Sequence, residues 1–433
     1  MRALAYADAA MYWASRIAGN DQFLLFAFDA PTSSPRAASD LVGEVRRRAA
    51  ALADLHLAVE SVPGDLDYPR WVPAPVRDDA VVVHAGPYEW SDVLAEVAGM
   101  SRLHDDGSLW RVHVFDRVDG VHGADGGARV AVFHVSHALG DGRRVSSIAR
   151  ALFGGAPPEP ARDGPVAVDD DRLAALRGGA MIGPHLARAT ARGLAAWSAA
   201  EPEPDPVSVS PTRVNAAPGS VRELRTLTVP AAAVKSGGRS VTAGVLAVLA
   251  EVLPDYLAAR PGDACAEVTL AFDDDPSAEV LPRNRFQTAG IGLHADVADR
   301  ARRAGLIADD LSAARRRAHS PGRLAARRAA ASAPAALASA AVRLGADAPP
   351  PARVSGWTVV SSVNRGAADL SLAGGRVLST AGFPALSRMH SLTHGVHGIG
   401  DTVTISVCAG GPVASDVDDY LSALVNALNS ARK

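Results

Sequence analysis

The stretch FHVSHALGDG, Phe133 to Gly142, sets a histidine and an aspartate four residues apart just beyond a strand-like apolar run, and closes on glycine. Two readings compete for it. It is either a turn that ends a strand, with Asp141 capping the next helix, or a loop that presents the His137 imidazole to a reaction. An imidazole titrates near neutral pH and so can take a proton from a hydroxyl. A bare H-x-x-x-D-G is usually ordinary turn-and-cap chemistry, so the surroundings decide between the readings.

On the N-terminal side, LWRVHVFDRV (109–118) and ARVAVFHVS (128–136) read as two strands joined by DGVHGADGG, whose glycines and aspartates are turn residues. On the C-terminal side, RRVSSIARALFGG places Val145, Ile148, Ala149 and Leu152 on one helical face and stops at Gly154. His137 and Asp141 therefore fall on a strand-to-helix connection. Further strands are expected at QFLLFAFDA (22–30) and AVVVHAG (80–86), and a helix at EWSDVLAEVAGMSRL (89–103). A helix flanked by the proline-rich segments GGAPPEPARDGP and EPEPDPVSVSPTR reads as a crossover between domains. Beyond it come the strands LRTLTVP and AEVTLAF, the helix VTAGVLAVLAEVL, a long Ala/Arg helical region from Asp296 to about Gly345, the strands WTVVSSV and TVTISVC, and a last helix, DVDDYLSALVNALN. The expected division is an N-terminal half over 1–165, a crossover over 166–214 and a C-terminal half over 215–433.

A chain of 433 residues with 48% hydrophobic and 21% charged residues can bury a large core and divides naturally into two domains. A net charge of -3 gives no overall attraction to nucleic acid, and no nucleic-acid motif is present. Cys265 and Cys408 lack metal-type spacing and read as reduced, buried thiols of a cytoplasmic protein. The N-terminal MRALAYADAAMYWASRIAG has no basic segment followed by an unbroken apolar one, so neither export nor membrane spanning is expected.

The run SLWRVHVFDRVDG, the hairpin, FHVSHALGDG and the helix after it together resemble the H-H-x-x-x-D-G region of the bacterial wax ester synthase / acyl-CoA:diacylglycerol acyltransferase family. Other segments are similar in the same order: YADAAMYW, VNAAPGSVRELRTLTVPAAAVK, LPRNRFQTAGIGL, and VVSSVNRG followed by LAGGRV. The resemblance covers nearly the whole chain. It implies an α/β fold of two chloramphenicol-acetyltransferase-like sandwich domains with a tunnel at their interface. It also implies an O-acyltransferase in which His137 is the base, Asp141 holds its loop and Gly142 lets the backbone turn tightly beside the base. An acyl thioester would enter one mouth and an alcohol, or an amine, the other; acyl-CoA is a co-substrate, and no cofactor is permanently bound. A carrier protein as donor, and peripheral contact with a membrane or lipid droplet, follow as further implied partners.

The family pattern is not kept everywhere. Its first motif histidine is Ser136 here, its Asn-Asp pair falls where Thr242 and Ala243 stand, and its S-N-V-P-G-P turn becomes Ser361, Ser362, Val363, Asn364, Arg365, Gly366. Substrate contacts are expected from Ser136, Asn284, Ser361, Ser362, His390 and His394. Arg285 and Arg376 are the candidate partners of Asp141, and strand alternation turns His134 away from His137. MHSLTHGVHG holds His390, His394 and His397 close together but without a nearby carboxylate or cysteine, so it reads as a loop feeding a strand, with one histidine near His137, and not as a zinc site. The arginines between 300 and 328 read as a solvated helical face or as a contact to phosphate or lipid. The chain has no G-x-S-x-G elbow, P-loop, dinucleotide fingerprint or H-E-x-x-H. Two alternatives stay open: a carrier-protein-dependent condensation-type enzyme of a natural-product pathway, and a non-catalytic acyl-binding scaffold.

Overall fold

The computed structural model describes residues 2–30, 37–159, 170–200, 207–235, 238–273 and 280–430. The parts of the two proline-rich crossover segments at 160–165 and 201–206 lie outside these. Two six-stranded sheets carry the chain. The first runs, in spatial order, Ser371–Leu372, Gly375–Gly382, Gln22–Asp29, Ala128–Val135, Trp110–Asp119 and Val81–Glu89. The second runs Phe286–Gly292, Cys265–Ala271, Thr358–Asn364, Leu392–Ile399, Thr402–Gly410 and Arg222–Pro230. A small sheet of Arg2–Ala3, Arg70–Pro73 and Leu57–Glu60 pairs with neither, and its Trp71 buries in the core of the first.

The apolar runs of the central strands follow from burial on both faces. Along Gln22–Asp29, side chains alternate: Leu24, Phe26 and Phe28 join a core with Leu41, Val45, Ile148 and Leu152, whereas Phe23, Leu25 and Ala27 join a second cluster that includes Leu224 and Cys408 of the C-terminal half. That second cluster is apolar contact between the halves. The C-terminal half has its own core around helix Val241–Tyr256, whose residues are buried almost throughout. Helix Gly142–Leu152 buries Val145, Ile148, Ala149 and Leu152, as its spacing predicts.

Three expectations need correction. The division at 215 is not clean, because Ser371–Leu372 and Gly375–Gly382 pair into the N-terminal half's sheet, the latter strand antiparallel to Gln22–Asp29. The physical reason is completion of an edge: Leu372 and Val377 bury in the first core and Ala381 in the inter-half cluster. The Ala/Arg region is three helices, Arg300–Ala318, Pro321–Ala330 and Ala335–Asp347, broken at Ser320–Pro321 and Pro334, and Ala335 and Ala338 of the last one bury in the N-terminal half's core. MHSLTHGVHG is not a loop: most of it is the strand Leu392–Ile399, parallel to Thr358–Asn364 and antiparallel to Thr402–Gly410. Among the described residues no single helix is long and apolar enough to cross a membrane. Cys265 and Cys408 are free and buried.

Candidate active site

His137 opens a short 3-10 turn between the strand Ala128–Val135 and the helix Gly142–Leu152, and lines a cavity of about 610 Å³ at the junction of the halves. The walls come from both: Asn20 to Leu24, Asp141 to Arg143, Val145 and Ser146 on one side, Ser361 to Arg365 and Phe286 on the other. That size lies within the range of small-molecule sites, about 300–1,000 Å³.

The histidine is held from behind by the segment 283–285. Asn284 Nδ2 lies 2.8 Å from the His137 carbonyl oxygen and 2.9 Å from Asp8 Oδ1, two acceptors that only an amide NH2 satisfies together. Asn284 Oδ1 is thereby turned onto His137 Nδ1 at 2.8 Å. An amide oxygen only accepts, so Nδ1 carries the ring proton and Nε2 keeps its lone pair on the cavity side. Burial holds the imidazole below its ordinary pKa of 6.5, with the Asn284 hydrogen bond opposing the shift. An imidazole so placed is neutral at physiological pH and can accept a proton at Nε2.

Asp8, from the opening helix Tyr6–Ser15, fixes that segment by accepting the backbone N–H of Arg283 at 3.0 Å and of Asn284 at 2.9 Å. Burial raises its carboxyl to about 6 against these bonds. Arg283 in turn donates to Asp54 Oδ1 at 2.5 Å and stacks 4.5 Å from the Trp71 ring, while both Asp54 oxygens accept Arg144 Nη2 at 2.8 Å. Arg144 belongs to the helix that follows the motif, so two halves of the chain are tied at the histidine loop.

Asp141 acts on the backbone. Its Oδ1 accepts the N–H groups of Arg143 and Arg144 at 3.0 Å as a helix N-cap, and its Oδ2 accepts the backbone N–H of Arg285 at 2.8 Å. Its own N–H donates to the Arg283 carbonyl at 3.2 Å. Of the two expected arginines, Arg285 thus meets Asp141 through its main chain, and Arg376 is exposed on the first sheet. Gly142 also has a different role from the one expected. The tight turn is made at Gly140, with φ 150°, where a Cβ would lie 2.9 Å from Arg144 Cβ. Gly142 is an ordinary first helical residue that keeps clearance from Val363, whose Cγ2 lies 3.1 Å from where its Cβ would be.

Ser361 and Ser362 line the cavity, and Ser362 Oγ meets Thr242 Oγ1 at 2.8 Å. Four other residues expected to touch substrate do not line it, and one of them, Asn284, is spent behind His137 as described above. Ser136 is buried with its hydroxyl accepting the Ala138 N–H at 3.3 Å. His390 packs against the Gly356 carbonyl at 3.3 Å, and His394 lies in the C-terminal core between Thr358 Oγ1 at 2.9 Å and the Tyr420 hydroxyl at 2.7 Å. The cavity histidine of that trio is His397, which the three-residue offset from His394 puts on the other face of the strand. His134 sits outside the cavity walls, 3.2 Å from Asp21. Asp54 lies in no segment that the sequence singles out; Asp8 and Arg283 fall inside YADAAMYW and LPRNRFQTAGIGL with nothing to mark their roles, and it takes the strand at 392–399 to tell that His397 is the histidine of MHSLTHGVHG that lines the cavity. The arginine run divides: Arg300 and Arg303 pair with Glu251, and Arg315 borders the cavity. Among the described residues no group of three or more His, Cys, Asp or Glu is placed to hold a metal ion.

Two α/β halves joined over a cavity, with a histidine presented between them, define the chloramphenicol-acetyltransferase-like, condensation-domain fold, and the chain has that fold over its whole length. Among solved structures it is similar to the wax ester synthase/diacylglycerol acyltransferase from Marinobacter aquaeolei VT8, with a TM-score of 0.63, 18% identity and coverage of 99% of this chain and 98% of that one. It is similar to the trichothecene 15-O-acetyltransferase from Fusarium sporotrichioides at a TM-score of 0.59 and 12% identity, covering 99% and 94%. The starter condensation domain of rhizomide synthetase, solved with C8-CoA, matches at a TM-score of 0.55 and 12% identity, covering 100% and 95%. No family model and no curated protein matches the sequence.

Proposed function

We propose that this chain is an acyltransferase in which His137 Nε2 takes the proton of a hydroxyl or amine acceptor as that acceptor attacks an acyl thioester. The observation that carries the reading is the Asn284 amide, whose two fixed donor contacts leave His137 only the tautomer with Nε2 free to accept. The attacked carbonyl carbon becomes tetrahedral, the carbon–sulfur bond breaks, and the proton on Nε2 passes to the departing thiolate. The reaction needs no acyl-enzyme. The Ser361 hydroxyl on the facing wall is available to donate to the developing oxyanion, whereas Ser362 Oγ is paired with Thr242 Oγ1 at 2.8 Å.

Acyl-CoA is the donor this reading favours, supported by the C8-CoA complexes of a condensation domain with the same fold. The test is free-thiol release from a series of acyl-CoA donors offered with mixed alcohol and amine acceptors, for wild type beside His137→Ala. The expected result is acceptor-dependent release that falls by about 10²–10⁴-fold in the variant while its circular dichroism is unchanged. Undiminished release from folded His137→Ala would overturn the assignment.

A further inference from the structure

One wall of the cavity carries a cation for which the described residues supply no countercharge. Arg365 follows the strand Thr358–Asn364, is only 3% exposed, and lines the cavity together with His397, which is 6% exposed. Its Nη1 is committed to the first sheet, donating to the Ala381 carbonyl at 2.8 Å, to the Leu25 carbonyl at 3.4 Å and to Thr380 Oγ1. Every one of these acceptors is neutral, and the one further contact to the cation among the described residues is the Phe26 ring, 5.1 Å from the guanidinium carbon, which carries no countercharge. Nη2 makes no hydrogen bond among the described residues, and Nε is buried without a partner. His397 Nδ1 is likewise buried and unpartnered.

The cost of such an arrangement is large. A buried guanidinium without an anion is strongly disfavoured, and burial pulls this one down to about 9. The two carboxylates that share the cavity are engaged elsewhere: Asp141 by three backbone N–H groups, Asp21 by the Leu103 N–H at 2.9 Å and by His134. The fold also reserves the space. A Cβ on Gly382 would lie 2.7 Å from Arg365 Nη2 and 3.0 Å from His397 Cε1, and one on Gly395 would first strike the Gly382 carbonyl oxygen and then His397 Cε1 at 2.7 Å. Two glycines therefore make the cradle in which the guanidinium and the imidazole sit side by side.

We propose that Arg365 and His397 form a receptor for a carboxylate carried by one of the two substrates, so that the enzyme selects an anionic acceptor or an anionic acyl group. This rests on the acyl-transfer reading of the same cavity. The Nη2 edge supplies a charge-assisted donor and His397 Nε2–H a neutral one, a pair suited to the two oxygens of a carboxylate. The countercharge absent from the protein arrives with the ligand. A wall of this kind opposes a purely hydrocarbon chain lying against it, since such a chain would leave the guanidinium buried and uncompensated.

The test uses matched pairs. Acceptors are offered as a hydroxy acid and its primary amide, and donors as succinyl-CoA and butyryl-CoA, so that the arms tell which substrate carries the carboxylate. Wild type is expected to prefer the carboxylate member of one arm by about 10- to 100-fold in kcat/KM. Arg365→Met should erase that preference, and Arg365→Lys should retain part of it, a pattern that a role confined to bracing the two sheets would not produce. Calorimetry on the His137→Ala variant, with and without Arg365→Met, reads the binding preference without turnover. Preferential binding that depends on Arg365 but no turnover by wild type would sink the acyl-transfer reading and leave the carboxylate receptor standing. Turnover without carboxylate preference, or a preference that survives Arg365→Met, would overturn the receptor; if that variant fails to fold, a wild-type preference undiminished in Arg365→Lys does the same.

Discussion

Replacing Asn284 by alanine separates the lock on the histidine from the histidine itself. The side chain makes three hydrogen bonds, to His137 Nδ1 and the His137 carbonyl at 2.8 Å each and to Asp8 Oδ1 at 2.9 Å, and it is 3% exposed. At about 1 kcal/mol for each neutral bond and about 1.5–3 kcal/mol for the bond to the carboxylate, the loss in stability is about 3.5–5 kcal/mol. The backbone N–H of Asn284 still reaches Asp8, so the segment keeps its anchor. The ring, freed of its acceptor, exchanges tautomers and tilts, and a misplacement of about 1 Å costs about 10²-fold in kcat. Urea unfolding measures the first quantity and thiol release under saturating donor the second. A third readout needs no substrate: the nitrogen-15 shifts of His137 should show a protonated Nδ1 in wild type and a mixture in Asn284→Ala. A protonated Nε2 in the wild-type protein, or a folded variant with undiminished kcat, would refute the lock.

Two further outcomes follow from the same geometry. Gly140→Ala forces a Cβ onto φ 150° and against Arg144, and should cost about 1–3 kcal/mol, whereas Gly142→Ala needs only a small shift of Val363 and should stay within about 1 kcal/mol of wild type. Urea midpoints that reverse this order would contradict the placement of the turn. Lowering the pH should destabilise the fold from about 6.5 downward, because burial holds His113 and His394 neutral with values near about 3 while the unfolded chain binds those protons earlier. Asp8, raised to about 6, works in the opposite sense but over a narrower span. A urea midpoint that rises between pH 7 and pH 5 would count against this balance. Turnover should likewise fall in acid, along a single protonation below 6.5 that fills Nε2.

What was legible in the sequence was whatever depended on local pattern. Alternation and turn residues delimit the hairpin before His137, and helical spacing places Val145, Ile148 and Leu152. The motif told which histidine to examine but not what holds it, because Asp8 and Asn284 are separated by 276 positions and meet only in the folded chain. It also misassigned the glycines: spacing alone does not distinguish a residue needed for its φ, Gly140, from an ordinary helical residue two positions on, Gly142. The run 389–398 misled because glycines and histidines mask the strand; buried on both faces between a parallel and an antiparallel neighbour, it shows no polar alternation to betray which imidazole faces the cavity. Arg365 stood out in the sequence only as a departure from a family turn, and its burial is a property of packing between the halves.

The strand Gly375–Gly382, which completes the sheet of the N-terminal half, also sets a schedule for synthesis. Until it leaves the ribosome, Gln22–Asp29 is a bare edge whose interior residues are all apolar. Roughly 250 residues separate the last strand the N-terminal half contributes from the one that closes it, an interval of roughly 12–50 s at ordinary elongation rates. The N-terminal half cut off before Gly375–Gly382 would thus lack a strand of its own sheet, and the nascent chain carries an open apolar edge for more than half of its own translation.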